Sequence, residues 1–445
     1  MGLDKRVIES TLFKDIEIVT PNGIHQGDLL IKEGKIAAIE PVINETAEEV
    51  IQETGLTILP GVIDPHVHFR DPGATHKEDL ESGSKAAASG GVTSFFDMPN
   101  TNPATISVEA MQAKKDYAST TSLVNYNFFI GATADNLREL QDVENVPGIK
   151  IYVGSSTGSL LVDQDEILDQ IFRDTSKLIA VHSEDEAMIQ EKMKEFEGTT
   201  NVLDHEKIRS AEGALKCTQF LCELALKHKH RLHICHLTTK QEVEYLKSLG
   251  KQPFISTEVT PQHLLTYSPD IFERWGTKAQ INPPIRSRDH QEALFKGLKE
   301  GVIACIGSDH APHLASEKAK PFGQAPSGMP GVETSLPVFL NLVDQGYFSL
   351  QDCVRLMSFM PAQLFKVKNK GQLTVGYDAD CVVIDRKGKH QIDQSSLVTK
   401  AKWSVFEGLT LTGKPIATFV NGQCVYREGS FFTDVKGTEI RIETY

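Results

Sequence analysis

Between Leu56 and Phe365 the chain repeats one unit, a short apolar run rich in Val, Ile and Phe followed by a longer amphipathic stretch, and this alternation constrains the fold more than any other feature. A β run followed by a helix returns the chain to the same edge of a sheet, so successive runs lie parallel. Eight runs can be counted: LTILPGVID, TSFFDMP, VNYNFFIG, GIKIYVG, LIAVHSE, RLHICHL, FISTEVTP and VIACIGSD. Eight parallel strands predict a (β/α)8 TIM-like barrel. The stretches between them predict helices over 78–89, 108–120, 164–175, 210–227, 239–249 and 289–299; in the fourth, Ala214, Cys217, Leu221 and Leu224 recur at helical spacing.

The two ends read differently. In residues 1–55, FKDIEIVT, GDLLIKEGKIAAIE and EEVIQETG have the pattern of hairpin strands with Gly and Asn turns, and GQLTVGYDADCVVID and GKPIATFVNGQCVYREG repeat that pattern in 367–445. The ends are expected to meet as one composite β-sandwich domain, leaving 56–366 for the barrel. A chain of 445 residues exceeds what one simple core holds, which agrees with one large and one small unit.

Charge and cysteine content narrow the function. A formal net charge of -14 opposes nucleic-acid binding, which relies on clustered Lys and Arg, so an anionic substrate would need positive charge built locally. No apolar run is long enough to span a bilayer. Seven cysteines scattered from Cys217 to Cys424 without a CxxC pair fit a reducing compartment, and MGLDKRVIES lacks the apolar centre of a secretory signal; a cytoplasmic protein is expected.

Barrel active sites form where the strands end, so the residues that end each run carry the chemistry. The first run leads into His66 and His68, the fourth carries Lys150, the fifth His182, the sixth His236 and the eighth Asp309. Two histidines two apart on an extended segment face the same side and can grip one ion. Imidazole and carboxylate donors suit Zn²⁺, and this set exceeds what one tetrahedral ion uses, pointing to two ions sharing a bridging water. Lys150 reads two ways: a lysine near a strand end that caps a helix or pairs with an acid, or, carboxylated by CO₂, a bridge between ions. Arg70, two residues past His68, faces the same way and offers a planar fork for a carboxylate, or else makes a surface salt bridge. Asn100 in MPNTNP and Asn282 in INPP are turn residues able to bond ring amides, and His313 would add a second cationic contact. Glu258, His263, Asp97 and Cys235 are expected to orient other side chains or pack beside them. The segments 154–159 and 314–330 have the composition of mobile active-site loops.

The motifs GVIDPHVHFRDPG, MPNTNP, GIKIYVG, VHSED, ICHL, INPPIR, SDHAPH and APSGMPGVET, spread over essentially the whole chain, resemble the dihydroorotase family of the amidohydrolase superfamily. The resemblance implies a metal-dependent hydrolase barrel in which His66, His68, His182, His236 and Asp309 bind two Zn²⁺ per subunit, and Lys150 matches the lysine N6-carboxylated in many members. It further implies Asp309 as the catalytic proton carrier, and substrate contacts from His68, Arg70, Asn100, Asn282, His313 and the loop backbone at Ser327 and Gly328. Gln262 stands where relatives often have His.

The implied activity is reversible cyclisation of N-carbamoyl-L-aspartate to L-dihydroorotate in pyrimidine (UMP) biosynthesis, in a homodimer acting on a small anionic substrate. Two rivals stand beside it. A hydantoinase or allantoinase would share the metal site but act on a ring without a carboxylate; a non-catalytic scaffold would have lost its ligands, and all six positions are occupied here.

Overall fold

The computed structural model describes residues 8–154 and 160–443; Ser155–Ser159, in one of the two expected mobile loops, lie outside the described residues. Eight parallel strands form the barrel: Val62–Val67, Val92–Asp97, Asn125–Phe128 continuing in Ile130–Gly131, Ile149–Tyr152, Ile179–His182, Leu232–Ile234, Ile255–Val259 and Cys305–Ile306. The ring closes where His68 N donates to His310 O at 2.8 Å. Helices Leu80–Ser89, Val108–Thr121, Asp165–Asp174, Ala211–His228, Lys240–Ser248 and Arg288–Glu300 cover it, within about two residues of the sequence expectation. Their starts have side-chain caps where polar residues precede the apolar repeat. Asp79 and Thr239 form capping boxes with Ser82 and Glu242, which satisfy first-turn N–H groups that have no helical partner.

The run LTILPGVID is not one barrel strand. Leu56–Pro60 belongs to the end sheet, pairing antiparallel with Cys381–Gln391 and parallel with Ser10–Thr20, and the chain crosses to the barrel at Gly61. The crossing demands glycine, because a Cβ there would stand 2.1 Å from Thr93 Oγ1. Among the described residues the end sheet has nine strands, with Ser10–Thr20, Gly23–Lys32 and Lys35–Glu40 on one side of Leu56–Pro60 and Cys381–Gln391, Thr410–Val420, Gln423–Arg427 and Ser430–Phe431 on the other; Glu49–Ile51 pairs with Ser10–Thr20. Phe13 and Phe419 lie on strands three places apart, roughly 14 Å in a flat sheet. Their ring centroids are nevertheless 5.3 Å apart, so the sheet folds over itself and packs the expected sandwich around Phe13, Ile18, Leu29, Val383 and Phe419.

Inside the barrel the strands divide by height. The lower layer is apolar: Ile63, Phe96, Phe129 and Ala180 pack around Phe365, whose ring lies 5.2 Å from Phe96 and 5.1 Å from His233 and closes the bottom. On the fourth strand Ile149 and Ile151 pack outward while Lys150 and Tyr152 face in, as period-two alternation requires. Among the described residues no helix is long and apolar enough to cross a membrane.

Candidate metal centre

Nine of the residues expected at the site, His66, His68, Lys150, His182, His236, Asn282, Asp309, Ser327 and Gly328, line one cavity at the strand ends, together with Tyr152 and Ala311. Simple alternation does not bring them there. Ile63 faces the interior, so His66 would face outward, but a register shift between Asp64 and Val67 reverses the parity and turns the ring inward. Cys235 and His236 both reach the interior because His236 has φ 32°, and Arg70 (φ 61°) and Asp309 (φ 44°) share this left-handed backbone. Such conformations are costly for residues with a Cβ and cluster where function needs a side chain re-aimed.

Three imidazoles are oriented by an acceptor that claims the outer N–H. Glu258 Oε1 lies 2.5 Å from His66 Nδ1, Asn100 Oδ1 2.6 Å from His68 Nδ1, and Glu184 Oε2 2.7 Å from His182 Nε2. The inner nitrogens then face one another: His66 Nε2 and His68 Nε2 at 3.3 Å, His182 Nδ1 and His236 Nε2 at 3.1 Å. Asp309 Oδ1 is 3.1 Å from His68 Nε2 and 3.3 Å from His66 Nε2, and His236 Nδ1 is buried without a hydrogen-bond partner among the described residues. Convergent nitrogen lone pairs, a carboxylate and acceptors behind the rings are the donor set of a metal site.

Charge agrees with that reading. Burial holds His68 near 4 and lowers His182 and His236, so these rings are neutral and able to ligate. Burial also opposes charge on His66, but Glu258 outweighs it and pushes the ring up to about 10, so this corner favours a positive charge. Asp309, despite burial, is held far below the usual carboxylate range by His66 and His68. Lys150 is fully buried, donates to Cys235 Sγ at 3.1 Å and has no salt bridge among the described residues, which removes the ion-pair reading left open by the sequence.

Several assignments change in detail. Asn100 acts on His68 through its Oδ1. Asn282 Oδ1 lies 3.0 Å from His205 Nε2, which leaves its amide nitrogen to face a ligand. The Gly328 N–H is taken by Gln280 O at 3.0 Å, and Ser327 O lies 3.0 Å from His313 Nε2. His313 was expected as a cation; burial, Arg70 and Lys77 hold it well below its usual range, so it is neutral. The segment 314–330 is tied down instead of loose: Lys318 is fully buried and donates to Gln280 O and Pro326 O, both at 2.7 Å.

One lining residue, Tyr152, escaped the sequence reading, and two expected orienting residues gain partners. Tyr152 lies beside His182 in register, and its place two residues past Lys150 was a usable signal. Glu258, expected to orient a neighbour, does so and is itself held by His233 Nε2 at 3.2 Å, whose Nδ1 lies 2.9 Å from Ser256 Oγ. Gly307 leaves room for that carboxylate, since a Cβ there would be 2.6 Å from Glu258 Oε2. Asp97 receives Phe69 N at 2.7 Å and Lys114 Nζ at 2.5 Å, tying the second strand to the segment between His68 and Arg70.

A model of the amidohydrolase family matches residues 57–425. The dihydroorotase of Methanosarcina mazei is 35% identical over 432 residues, 94% of each chain. That of Halalkalibacterium halodurans is 32% identical over 434 residues, 94% of this chain and 98% of the relative. Among solved structures, the L-hydantoinase (dihydropyrimidinase) from Arthrobacter aurescens superposes with TM-score 0.92 at 30% identity over 98% of this chain and 100% of that one. A D-hydantoinase does so with TM-score 0.88 at 29% identity, covering 95% of this chain and 96% of that one. The barrel, the convergent donor set at its strand ends and these matches along nearly the full length place the chain in the amidohydrolase family.

Proposed function

We propose that the chain is a dihydroorotase, opening the ring amide of L-dihydroorotate to N-carbamoyl-L-aspartate and closing it in reverse. One observation carries this reading over its hydantoinase rival. Arg70 is 7% exposed, donates from Nε to Pro312 O at 3.2 Å, and has no carboxylate within salt-bridge distance among the described residues. A buried guanidinium without a counter-ion is costly, and a substrate carboxylate would answer it. Dihydroorotate and carbamoyl-aspartate carry one; hydantoin and allantoin do not. The dihydroorotase names of the sequence relatives support the same choice, while the hydantoinase structures share the architecture.

His66, His68, Lys150, His182, His236 and Asp309 would hold two divalent cations, with zinc the best match to these donors. As a carbamate, Lys150 would turn a buried ammonium without an anionic partner into an anionic donor. When bound, such ions supply Lewis acidity, polarising a carbonyl and making water acidic. Asp309 would accept the proton of an attacking water on its carboxylate and pass it to the departing ring nitrogen. Arg70 would fix the ring by its carboxylate from beside the cavity that Asn282 lines.

The test is steady-state turnover of L-dihydroorotate, hydantoin and allantoin on protein of measured metal content, wild type and Arg70→Met. Dihydroorotate alone should turn over, with kcat/KM falling about 10²-fold or more in the variant, as expected for loss of a buried charge pair. Turnover of a neutral ring in place of dihydroorotate would overturn the assignment.

A further inference from the structure

Three groups lie within hydrogen-bond distance of His313 and cannot all bond to it, while Glu317 Oε2, 3.9 Å from Nδ1, lies beyond that distance. Lys77 Nζ, a donor only, is 3.1 Å from Nδ1; Ser327 O, an acceptor only, is 3.0 Å from Nε2; and Arg70 Nη2, a donor only, is 3.1 Å from the same Nε2. A neutral imidazole carries one N–H. With the proton on Nε2, both Lys77 and Ser327 are satisfied and Arg70 Nη2 meets another donor. With the proton on Nδ1, Arg70 is satisfied, Lys77 meets a donor and Ser327 O loses its partner. Two contacts outweigh one, so Lys77 selects the Nε2–H form.

Lys77 is itself anchored. Its ammonium is 3.3 Å from Glu317 Oε1, and Glu317 Oε2 accepts from Leu314 N at 2.9 Å at the start of the short helix Ala315–Lys318. The backbone of His313 is fixed from the segment between strands Cys381–Gln391 and Thr410–Val420, where Trp403 Nε1 donates to His313 O at 2.8 Å. A ring held in this way can neither flip nor change tautomer without breaking a bond to a fixed partner.

We propose that Lys77 is a positioning residue for substrate recognition: it locks His313 as the Nε2–H tautomer bound to Ser327, so that His313 cannot accept from Arg70 and the guanidinium fork stays available to an external carboxylate. This rests on the dihydroorotase reading for the identity of the carboxylate, though the tautomer does not. Lys77 meets one nitrogen of His313 and Arg70 the other, so Lys77 acts on the guanidinium through the ring.

Two measurements test it. In ¹⁵N-histidine-labelled protein without substrate, with the His313 signals assigned by their loss in His313→Gln, wild type should show protonated Nε2 and unprotonated Nδ1. Lys77→Met should give a tautomer mixture, and Lys77→Gln, whose amide can still donate, should restore the wild-type pattern. In kinetics, Lys77→Met should raise KM for dihydroorotate about tenfold with kcat within about twofold, the size of one lost hydrogen bond, and Lys77→Gln should recover most of that loss. A protonated Nδ1 in wild type, or Lys77→Met with unchanged tautomer and KM, would overturn the proposal. If the wild type hydrolyses only neutral rings, the dihydroorotase reading fails while the tautomer measurement still decides the role of Lys77.

Discussion

The imidazoles at the barrel mouth and the cations beside them are held by different kinds of structure. His66, Lys150 and His182 stand on barrel strands, and the two rings are aimed by Glu258 and Glu184 buried behind them. Arg70, Lys77, His313 and Ser327 stand on loops and are aimed by one another and by backbone carbonyls. Strand-borne groups cannot move without moving the barrel, whereas loop-borne groups can be exchanged with little effect on the core. If the proposed function holds, a division of labour follows: the strand flank would supply chemistry common to cyclic-amide hydrolases, and the loop flank would decide which ring is accepted. A hydantoinase can then share this fold at TM-score 0.92 while the sequence relatives are dihydroorotases.

The comparison breaks first at Asp309, the strand-end residue with most to do. Asp309→Ala should lower kcat for every cyclic amide by about 10²–10⁴-fold, the range for loss of a positioned proton carrier, while substrate preference stays the same. If preference shifts and rate survives, the two flanks are not separable. Glu258→Gln is the milder test of the same flank. The amide can accept from only one of His66 and His233, so metal affinity measured by chelator competition should weaken about 10–100-fold, again without a change of preferred ring.

The smallest effect belongs to the loop flank and depends on pH. Burial, with a contribution from Arg70, lowers Lys318 from 10.5 to about 7. Below pH 7 folded and unfolded chains both carry the proton and the burial cost is present in full. Between about 7 and 10.5 the unfolded chain binds more protons, so wild-type stability rises with pH. The neutral amine keeps two N–H groups for Gln280 O and Pro326 O. Lys318→Met should therefore cost about 1 kcal/mol or more at pH 9 and less at pH 6, by denaturant unfolding at both values. A cost that is flat across this range would mean Lys318 is not held near neutrality by burial.

Much of the strand flank was readable in advance because it follows local rules. Runs of Val, Ile and Phe mark strands buried on both faces, helix caps are spelled by Asp, Ser and Thr, and barrel sites form at strand ends, so His66, Lys150, His182, His236 and Asp309 could be placed together before any coordinates. The loop flank was less legible. Lys77 stands in HKEDLES with nothing to distinguish it from a solvated lysine, and its partner His313 is 236 positions away. The neutrality of His313 was missed for the same reason: it results from burial and two nearby cations, not from residue type.

By itself the sequence determined the number and order of the barrel strands, the helices between them, the meeting of the two chain ends, and the set of side chains able to ligate. These depend on periodicity and on residue type, which are properties of neighbouring positions. Tertiary structure alone decided where LTILPGVID divides, which way His66 and His236 turn, which nitrogen each imidazole presents, and that Arg70 has no anionic partner among the described residues. Parity breaks, tautomers and missing counter-ions are fixed by groups brought together from distant parts of the chain, and their energies exist only once the barrel has closed around them.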